Sequence, residues 1–119
     1  MIDQVLVDEI LAYLRSECRG NANAKPRRKL MDHLIGKGLL SPEAWHDTRI
    51  FEREDRKMRR ACESVAGQCG SCSRGYFAIV TAEDRRIAEV QLAAPAVAML
   101  DRKRQIERSA PQGQLTLDI

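Results

Sequence analysis

Apolar residues recur at helical spacing in three stretches of the chain, with charged residues between them. In residues 2–18 this pattern predicts an amphipathic helix, because residues three, four and seven apart share one face of an α-helix. The same pattern predicts a second helix from Pro26 to Ile35 and a third over residues 51–66. Between these two, Ser41-Pro42-Glu43 is typical of a helix start, and we expect a single short turn there.

The pattern changes after Gly67. Residues 68–80, QCGSCSRGYFAIV, predict two short strands around a glycine-rich turn, since aromatic and β-branched residues favour strands. Thr81 begins a capping box, which predicts a long helix over residues 82–107 with a kink near Pro95. The middle of this helix is apolar on most sides. One side of one helix cannot hide all of its large apolar side chains, so we expect some of them to contact a second copy of the chain; the candidates are Leu92, Val97, Met99 and Leu100.

The order of elements predicts the fold class. It is helix, helix, short turn, basic helix, hairpin and long helix, so we expect a mainly α protein with a small β-hairpin. More specifically, we expect a winged helix-turn-helix over residues 1–80. Residues 81–108 then form a long C-terminal helix that serves as a dimerisation element, and residues 109–119 form a flexible tail.

Composition narrows the classes of partner. The chain has 119 residues, 44% of them hydrophobic and 31% charged, and a net charge of +3, which suits one compact domain without a general excess of basic charge. It contains only five aromatic residues, so stacking of single-stranded bases is disfavoured and duplex DNA is favoured. Acidic residues interrupt the first apolar stretch, which disfavours a signal peptide, and no apolar stretch is long enough to cross a membrane. We expect the four cysteines to be reduced thiols instead of disulfides. We expect a cytoplasmic protein that does not bind membranes.

The third predicted helix carries the strongest cluster of basic residues. Residues 53–60, REDRKMRR, include five basic residues, while the apolar residues of the same helix fall on one face. Arg53, Arg56 and Arg60 are the predicted contacts to base edges, because a guanidinium group can donate two hydrogen bonds to guanine. Lys57 and Arg59 are the predicted contacts to phosphate.

Two further groups extend the predicted contact with DNA. Arg27, Arg28 and Lys29 lie at the start of the second helix, where backbone N–H groups favour anions. Arg74, next to Gly75 in the hairpin, is expected to contact the DNA backbone. The alternative interpretation is a solvated helix face with intrahelical ion pairs, Glu52 with Arg56 and Asp55 with Arg59.

The stretch FEREDRKMRRACESVAGQCGSCSRGYFAIVTAEDRR resembles the recognition helix and wing of small winged helix-turn-helix proteins of phages and prophages. The resemblance covers about residues 48–105. It implies a DNA-binding role in the regulation of transcription or in the replication of a prophage or mobile element. The chain departs from the family pattern between its second and third helices, where GKGLLSPEAWHDTR replaces a tight turn.

Cysteine spacing suggests a zinc site that the sequence does not complete. Cys62, Cys69 and Cys72 are three candidate ligands, but a structural zinc ion takes four. A fourth ligand would have to be Cys18, His33 or His46, none of which has a characteristic spacing. Alternatively, Cys62 is a core residue and Gly70-Ser71 is a turn. We expect no metal or cofactor, and no enzymatic activity, since neither histidine belongs to a base–nucleophile pattern.

The last six residues, QLTLDI, resemble the peptide by which bacterial DNA-processing proteins bind the replicative sliding clamp. Gln114, Leu115 and Leu117 are the predicted contacts with such a partner. The alternative is that this end of the chain folds back onto the domain.

These observations predict a double-stranded DNA-binding protein. The alternative is a protein–protein adaptor with a winged-helix fold and no DNA binding. Glu52, Glu54 and Asp55 favour the alternative, because they neutralise part of the basic helix.

Overall fold

The computed structural model describes residues 3–109, which form four α-helices, two short 3₁₀ turns and one antiparallel hairpin. The elements are, in chain order, α1 (Gln4–Glu17), a 3₁₀ turn (Asn21–Asn23), α2 (Arg27–Gly36), a second 3₁₀ turn (Pro42–Trp45), α3 (Thr48–Ser64), β1 (Cys69–Cys72), β2 (Gly75–Ala78) and α4 (Ala82–Ser109). A mainly α fold with a small hairpin and a long C-terminal helix is thus confirmed. The winged helix-turn-helix assignment stays a prediction.

Helix α1 organises the core, because it packs against α2, α3 and β2. The Asp3 carboxylate starts this helix by accepting hydrogen bonds from the backbone N–H groups of Val5 and Leu6. The buried face of α1 consists of Leu6, Val7, Ile10, Leu11 and Leu14. The apolar spacing within residues 2–18 also included Val5, and that part of the prediction was wrong: Val5 is 62% exposed, because it lies nearly half a helical turn away from the buried stripe. Ile2 lies outside the described residues.

The hairpin is joined to the loop between α1 and α2. Residues 69–72 of β1 pair with residues 75–78 of β2 in antiparallel register. On the other edge of β2, Lys25 and Tyr76 exchange two backbone hydrogen bonds of 3.1 and 2.9 Å. Gly75 is required beside this contact, since its φ is +128° and a Cβ atom would lie 1.9 Å from the carbonyl oxygen of Lys25. The α1–α2 loop therefore acts as a third strand along the hairpin.

Asp84 attaches α4 to the rest of the fold. The backbone N–H of Asp84 donates to the Thr81 hydroxyl at 3.0 Å, and the Asp84 carboxylate accepts from the Thr81 N–H at 3.1 Å, which is the predicted capping box. The same carboxylate is buried and also accepts hydrogen bonds from the Val80 N–H and from the backbone and side-chain amides of Asn21. One side chain thus caps α4 and ties it to the α1–α2 loop.

Beyond this joint, α4 extends away from the fold. The helix contacts β1, and Ile87 and Ala88 are half-buried, but every residue from Glu89 to Ser109 is exposed. With 28 residues α4 is about 42 Å long, and it continues through Pro95 as one element. In the part of the chain that the structure describes, no helix has both the length and the apolar character that a membrane span requires.

Candidate nucleic-acid interface

Helix α3 begins earlier than its apolar pattern predicts. The Asp47 carboxylate accepts hydrogen bonds from the backbone N–H groups of Arg49 at 2.9 Å and Ile50 at 3.2 Å. These bonds satisfy N–H groups that lack partners within the helix, so α3 begins at Thr48 instead of residue 51. Arg49 therefore belongs to the helix and extends its outer face by one turn.

The inner face of α3 is the predicted one. Met58, Ala61 and Cys62 are buried in the core, and Val65 is half-buried at the end of the helix. Two carboxylates, those of Glu54 and Asp55, are buried beside them. A buried carboxylate is costly unless it is paired and hydrogen-bonded, so the partners of these two residues determine what the helix can present to a ligand.

Glu54 pairs with two of the predicted DNA contacts. Its carboxylate lies 3.3 Å from Nε of Arg53 and 3.3 Å from Nζ of Lys57, and it accepts a 2.7 Å hydrogen bond from the backbone N–H of Ser41. Burial acts to raise the pKa of Glu54, but the hydrogen bonds from Ser41, Lys57 and Arg53 outweigh it and lower the pKa below its ordinary value. Glu54 is therefore ionised at neutral pH and fixes the turn before α3.

Asp55 pairs with two others and joins two helices. Its carboxylate oxygens lie 3.3 Å from Nε of Arg27 on α2 and 3.2 Å from Nε of Arg59 on α3. The ion pair between Asp55 and Arg59 was predicted from their spacing. The predicted pair of Glu52 and Arg56 does not form within residues 3–109.

Three arginines remain unpaired on the outer face of α3. Arg49, Arg56 and Arg60 are exposed and take part in none of the ion pairs found within residues 3–109. They are spaced by seven and four residues, which places them in one stripe about 16 Å long. Arg56 and Arg60 were predicted, whereas Arg49 was missed. The sequence signal that would have identified it is Asp47, a favoured N-cap residue immediately before Thr48.

The start of α2 provides a second basic region. Arg27, Arg28 and Lys29 are exposed there, and the guanidinium group of Arg28 lies 5.6 Å from the centre of the Trp45 ring. Pro26 is the N-cap and provides no side-chain hydrogen bond. Because the Asp55 carboxylate contacts both Arg27 and Arg59, this region lies next to the middle of α3.

Arg74 lies in the turn of the hairpin, but it is directed back towards the α1–α2 loop. Its Nη2 atom donates to the carbonyl oxygen of Asn21 at 2.9 Å and lies 3.4 Å from the side-chain oxygen of Asn21. Arg74 and Arg27 both line an open pocket of about 790 Å³ between the hairpin and α2. The hairpin cation is therefore close to the start of α2.

The cysteines do not form a metal cluster in the part of the chain that is described. In residues 3–109, no three His, Cys, Asp or Glu side chains are close enough to hold a metal ion. Cys69 and Cys72 are three residues apart on β1, so their side chains point to opposite faces of the strand. Cys62 is buried, and a hydrogen bond with the Cys69 thiol, together with burial, raises the pKa of Cys62 above its ordinary value. The Cys62 thiol is protonated at neutral pH.

His33 has an acidic neighbour that the sequence pattern did not indicate. Its Nε2 atom lies 2.7 Å from a carboxylate oxygen of Glu9, and its ring centre lies 4.4 Å from that of Tyr13. This pair joins α1 to α2. The partner of His33 was missed because Glu9 is distant in sequence.

The predicted clamp-binding residues, Gln114, Leu115 and Leu117, lie outside the described residues, and their role stays a prediction. Comparisons of the chain with protein-family models, curated proteins and solved structures find no match.

Proposed function

We propose that the chain binds double-stranded DNA through the outer face of α3. The observation that carries this proposal is the stripe of Arg49, Arg56 and Arg60, which are exposed and form no ion pair within residues 3–109. Unpaired guanidinium groups are available both to phosphates and to the O6 and N7 atoms of guanine. An α-helix with its side chains is about 10–12 Å in diameter, which suits a major groove about 12 Å wide.

The ion-paired basic residues also favour DNA binding at this face, because they keep a net positive charge and are held in place. Each buried carboxylate is shared by two cations, so each group of three side chains keeps one net positive charge. The pairing also limits the conformations of Arg53, Lys57, Arg59 and Arg27 before any ligand binds, which lowers the entropy lost on binding. We assign these four residues to phosphate contacts. The prediction that Arg53 reads bases is thereby revised.

The start of α2 and the hairpin extend the proposed contact along the DNA backbone. Arg28 and Lys29 are exposed at the start of α2, which the Arg27–Asp55 ion pair joins to α3. Arg74 lines the same pocket as Arg27. These positions suit a helix-turn-helix followed by a wing, in which α3 enters the groove and the hairpin contacts phosphate. We propose a cytoplasmic role in the transcription or replication of a prophage or mobile element, as the family resemblance implies.

A paired substitution tests the arginine stripe. Arg56→Ala and Arg60→Ala should each weaken specific binding by about 1–3 kcal/mol if the side chains contact base edges. The matched control is Arg102→Ala with Arg108→Ala, which removes the same charge from exposed positions on α4. Binding is measured by fluorescence anisotropy with mixed duplex fragments over a salt series. Equal affinity of the Arg56/Arg60 variant and the control would exclude α3 as the DNA-binding element.

The adaptor alternative is favoured by one observation, the pairing of four basic side chains with Glu54 and Asp55. If the basic face serves a protein partner, the wild-type chain should fail to bind duplex DNA even at low salt, where phosphate contacts are strongest. The same titration therefore separates the two functions. Salt-dependent binding of the wild type that weakens in the Arg56/Arg60 variant supports DNA binding and argues against the adaptor.

A further inference from the structure

The most exposed apolar side chains of the described residues lie on one stripe of α4. Leu92, Met99 and Ile106 are 78%, 67% and 65% exposed, the three largest values among the large hydrophobic residues of the described chain. They are spaced by seven residues and therefore share one face of the helix. Ala96 and Lys103 lie on the same face, four residues after Leu92 and Met99. This face is a heptad stripe without a partner among residues 3–109.

The stripe is continuous with an apolar groove. The groove has a volume of about 440 Å³ and lies between the end of α3, the hairpin and the start of α4. Cys69 and Ile79 are among its apolar lining residues, and Arg85, Glu89 and Leu92 line it on the α4 side. Arg85 is seven residues before Leu92, so the groove opens onto the same face of α4 that carries the stripe.

We propose that the groove and the stripe are covered by α4 of a second copy, which lies antiparallel to the first. In an antiparallel pair centred on Ala96, Leu92 lies within one residue of the level of Met99 of the second copy. Arg85 likewise lies within one residue of the level of Ile106 of the second copy. Residues 99–106 of each copy then lie over the groove of the other. The small side chain of Ala96 meets its own equivalent where the two helices cross and allows a close approach.

Charge determines the orientation. In the antiparallel register, Glu89 faces Lys103 of the second copy, and Arg85 lies near Glu107 of the second copy, so opposite charges meet at both ends. In a parallel register, Glu89 would face Glu89 and Lys103 would face Lys103. Like charges opposite each other disfavour that arrangement. The groove has the same mixed charge, since Arg59 and Glu63 also line it.

The antiparallel interface is isologous, with one patch used by both copies. It lies on α4 and beside the end of α3, whereas the unpaired arginines lie on the outer face of α3. Arg59 lines the groove and is also a proposed phosphate contact, so the two surfaces adjoin there. Arg49, Arg56 and Arg60 are not among the lining residues of the groove, so substitutions at the stripe and at α4 test the two properties separately.

A matched pair of substitutions tests whether the apolar stripe of α4 forms the contact between the two copies. Sedimentation equilibrium at micromolar concentration should show a dimer for the wild type, and Met99→Glu should raise the dissociation constant by at least about tenfold, since it places a charge in an apolar contact. Val97→Glu is the control, because Val97 is also exposed in the apolar middle of α4 but lies on a different face. Circular dichroism verifies that both variants fold. A monomeric wild type, or equal dissociation by the two variants, would refute the proposal.

Charge reversal tests the orientation. Glu89→Lys alone and Lys103→Glu alone should each weaken the dimer, because each creates like-charge contacts across the antiparallel pair. The double variant should recover wild-type affinity, and a mixture of the two single variants should form a heterodimer. If the double variant remains as weak as the single variants, the antiparallel register is wrong.

A distance measurement gives a second readout that does not depend on affinity. Spin labels at Ser109→Cys in a Cys72→Ser background should lie about 40 Å apart in an antiparallel dimer, because the labelled positions are at opposite ends of the paired helices. In a parallel dimer the same labels would be separated by little more than the distance between the helix axes, about 10 Å. The Cys72→Ser chain without the added cysteine controls for labelling of the buried thiols. A short distance would overturn the antiparallel assignment.

Discussion

Helices α3 and α4 are both long and both start at a side-chain cap, but they differ in where their apolar residues lie. α3 buries Met58, Ala61 and Cys62 in the core of its own chain. α4 is longer, yet its only fully buried residue is the capping carboxylate of Asp84. We call residues 3–81 the head and α4 the arm. The head is held together by its own core, whereas within residues 3–109 the arm is held to the head only at its start.

The two helices differ in sequence in the same way. In α3 the apolar residues are concentrated on one face and the charged residues on the other, as expected for a helix that packs on its own domain. In α4 the segment VQLAAPAVAML has no charged face at all. An apolar pattern around the whole helix, without a covering element in the part of the chain that the structure describes, indicates contact with another molecule.

Removing a core side chain of the head should have the largest effect. Phe77 is fully buried, so Phe77→Ala should lower the free energy of unfolding by about 3–5 kcal/mol through lost burial and the cavity that remains. Urea denaturation followed by circular dichroism measures this change. The control is Val97→Ala on the exposed part of the arm, where we expect at most about 0.5 kcal/mol. Similar losses for the two variants would contradict the distinction between head and arm.

The second largest loss of stability is expected at the joint between head and arm, where Asp84 is buried. Asp84→Ala removes an acceptor from the N–H groups of Val80 and Thr81 and from both amides of Asn21, leaving buried donors without partners. We expect a loss of about 2–3 kcal/mol in the free energy of unfolding. Glu83→Ala is the matched control, because Glu83 is an exposed acid in the same helical turn. Equal effects of the two substitutions would mean that general charge at the helix start, and not the buried hydrogen bonds, stabilises the joint.

The secondary structure was predictable because it follows from local patterns. The spacing of apolar residues predicted the helices, and Gly, Ser and aromatic residues predicted the hairpin. The start of α3 was misplaced because it depends on the two backbone hydrogen bonds that the Asp47 carboxylate accepts and not on the apolar pattern. Because the predicted helix began at residue 51, Arg49 was not recognised as part of its outer face.

The candidate site was only partly predictable for a different reason. Arg56 and Arg60 lie at the middle of the outer face and depend only on helical geometry. The pairing of Asp55 with Arg27 and of Asp84 with Asn21 depends on contacts between distant parts of the chain. Adjacent acids in a basic helix resemble a solvated surface in sequence, and only the packing of α3 shows that Glu54 and Asp55 are buried.

Ionisation of Asp84 at the same joint should make the free energy of unfolding depend on pH in the acid range. Burial acts to raise the pKa of Asp84, but its four accepted hydrogen bonds outweigh it and hold that pKa well below its ordinary value. The ionised carboxylate therefore contributes stability that is fully present above the unfolded pKa of about 3.9 and is lost as the pH falls below it. The difference in unfolding free energy between wild type and Asp84→Asn should shrink as pH decreases from 5 to about 2. A difference that stays constant over this range would show that the charge of Asp84 does not stabilise the fold.

The smallest effect is expected for Leu92→Ala when the protein is dilute. Leu92 is 78% exposed, so its removal from an isolated chain should change the free energy of unfolding by no more than about 0.5 kcal/mol. At higher concentration the result should differ, because association stabilises the folded state by mass action and raises the melting temperature of the wild type. Leu92→Ala should weaken that rise, whereas Phe77→Ala should lower the melting temperature at every concentration. Thermal melts over a series of protein concentrations measure both effects. A large loss for Leu92→Ala in dilute protein would mean that Leu92 packs against its own head, and the arm would then not be an independent contact surface.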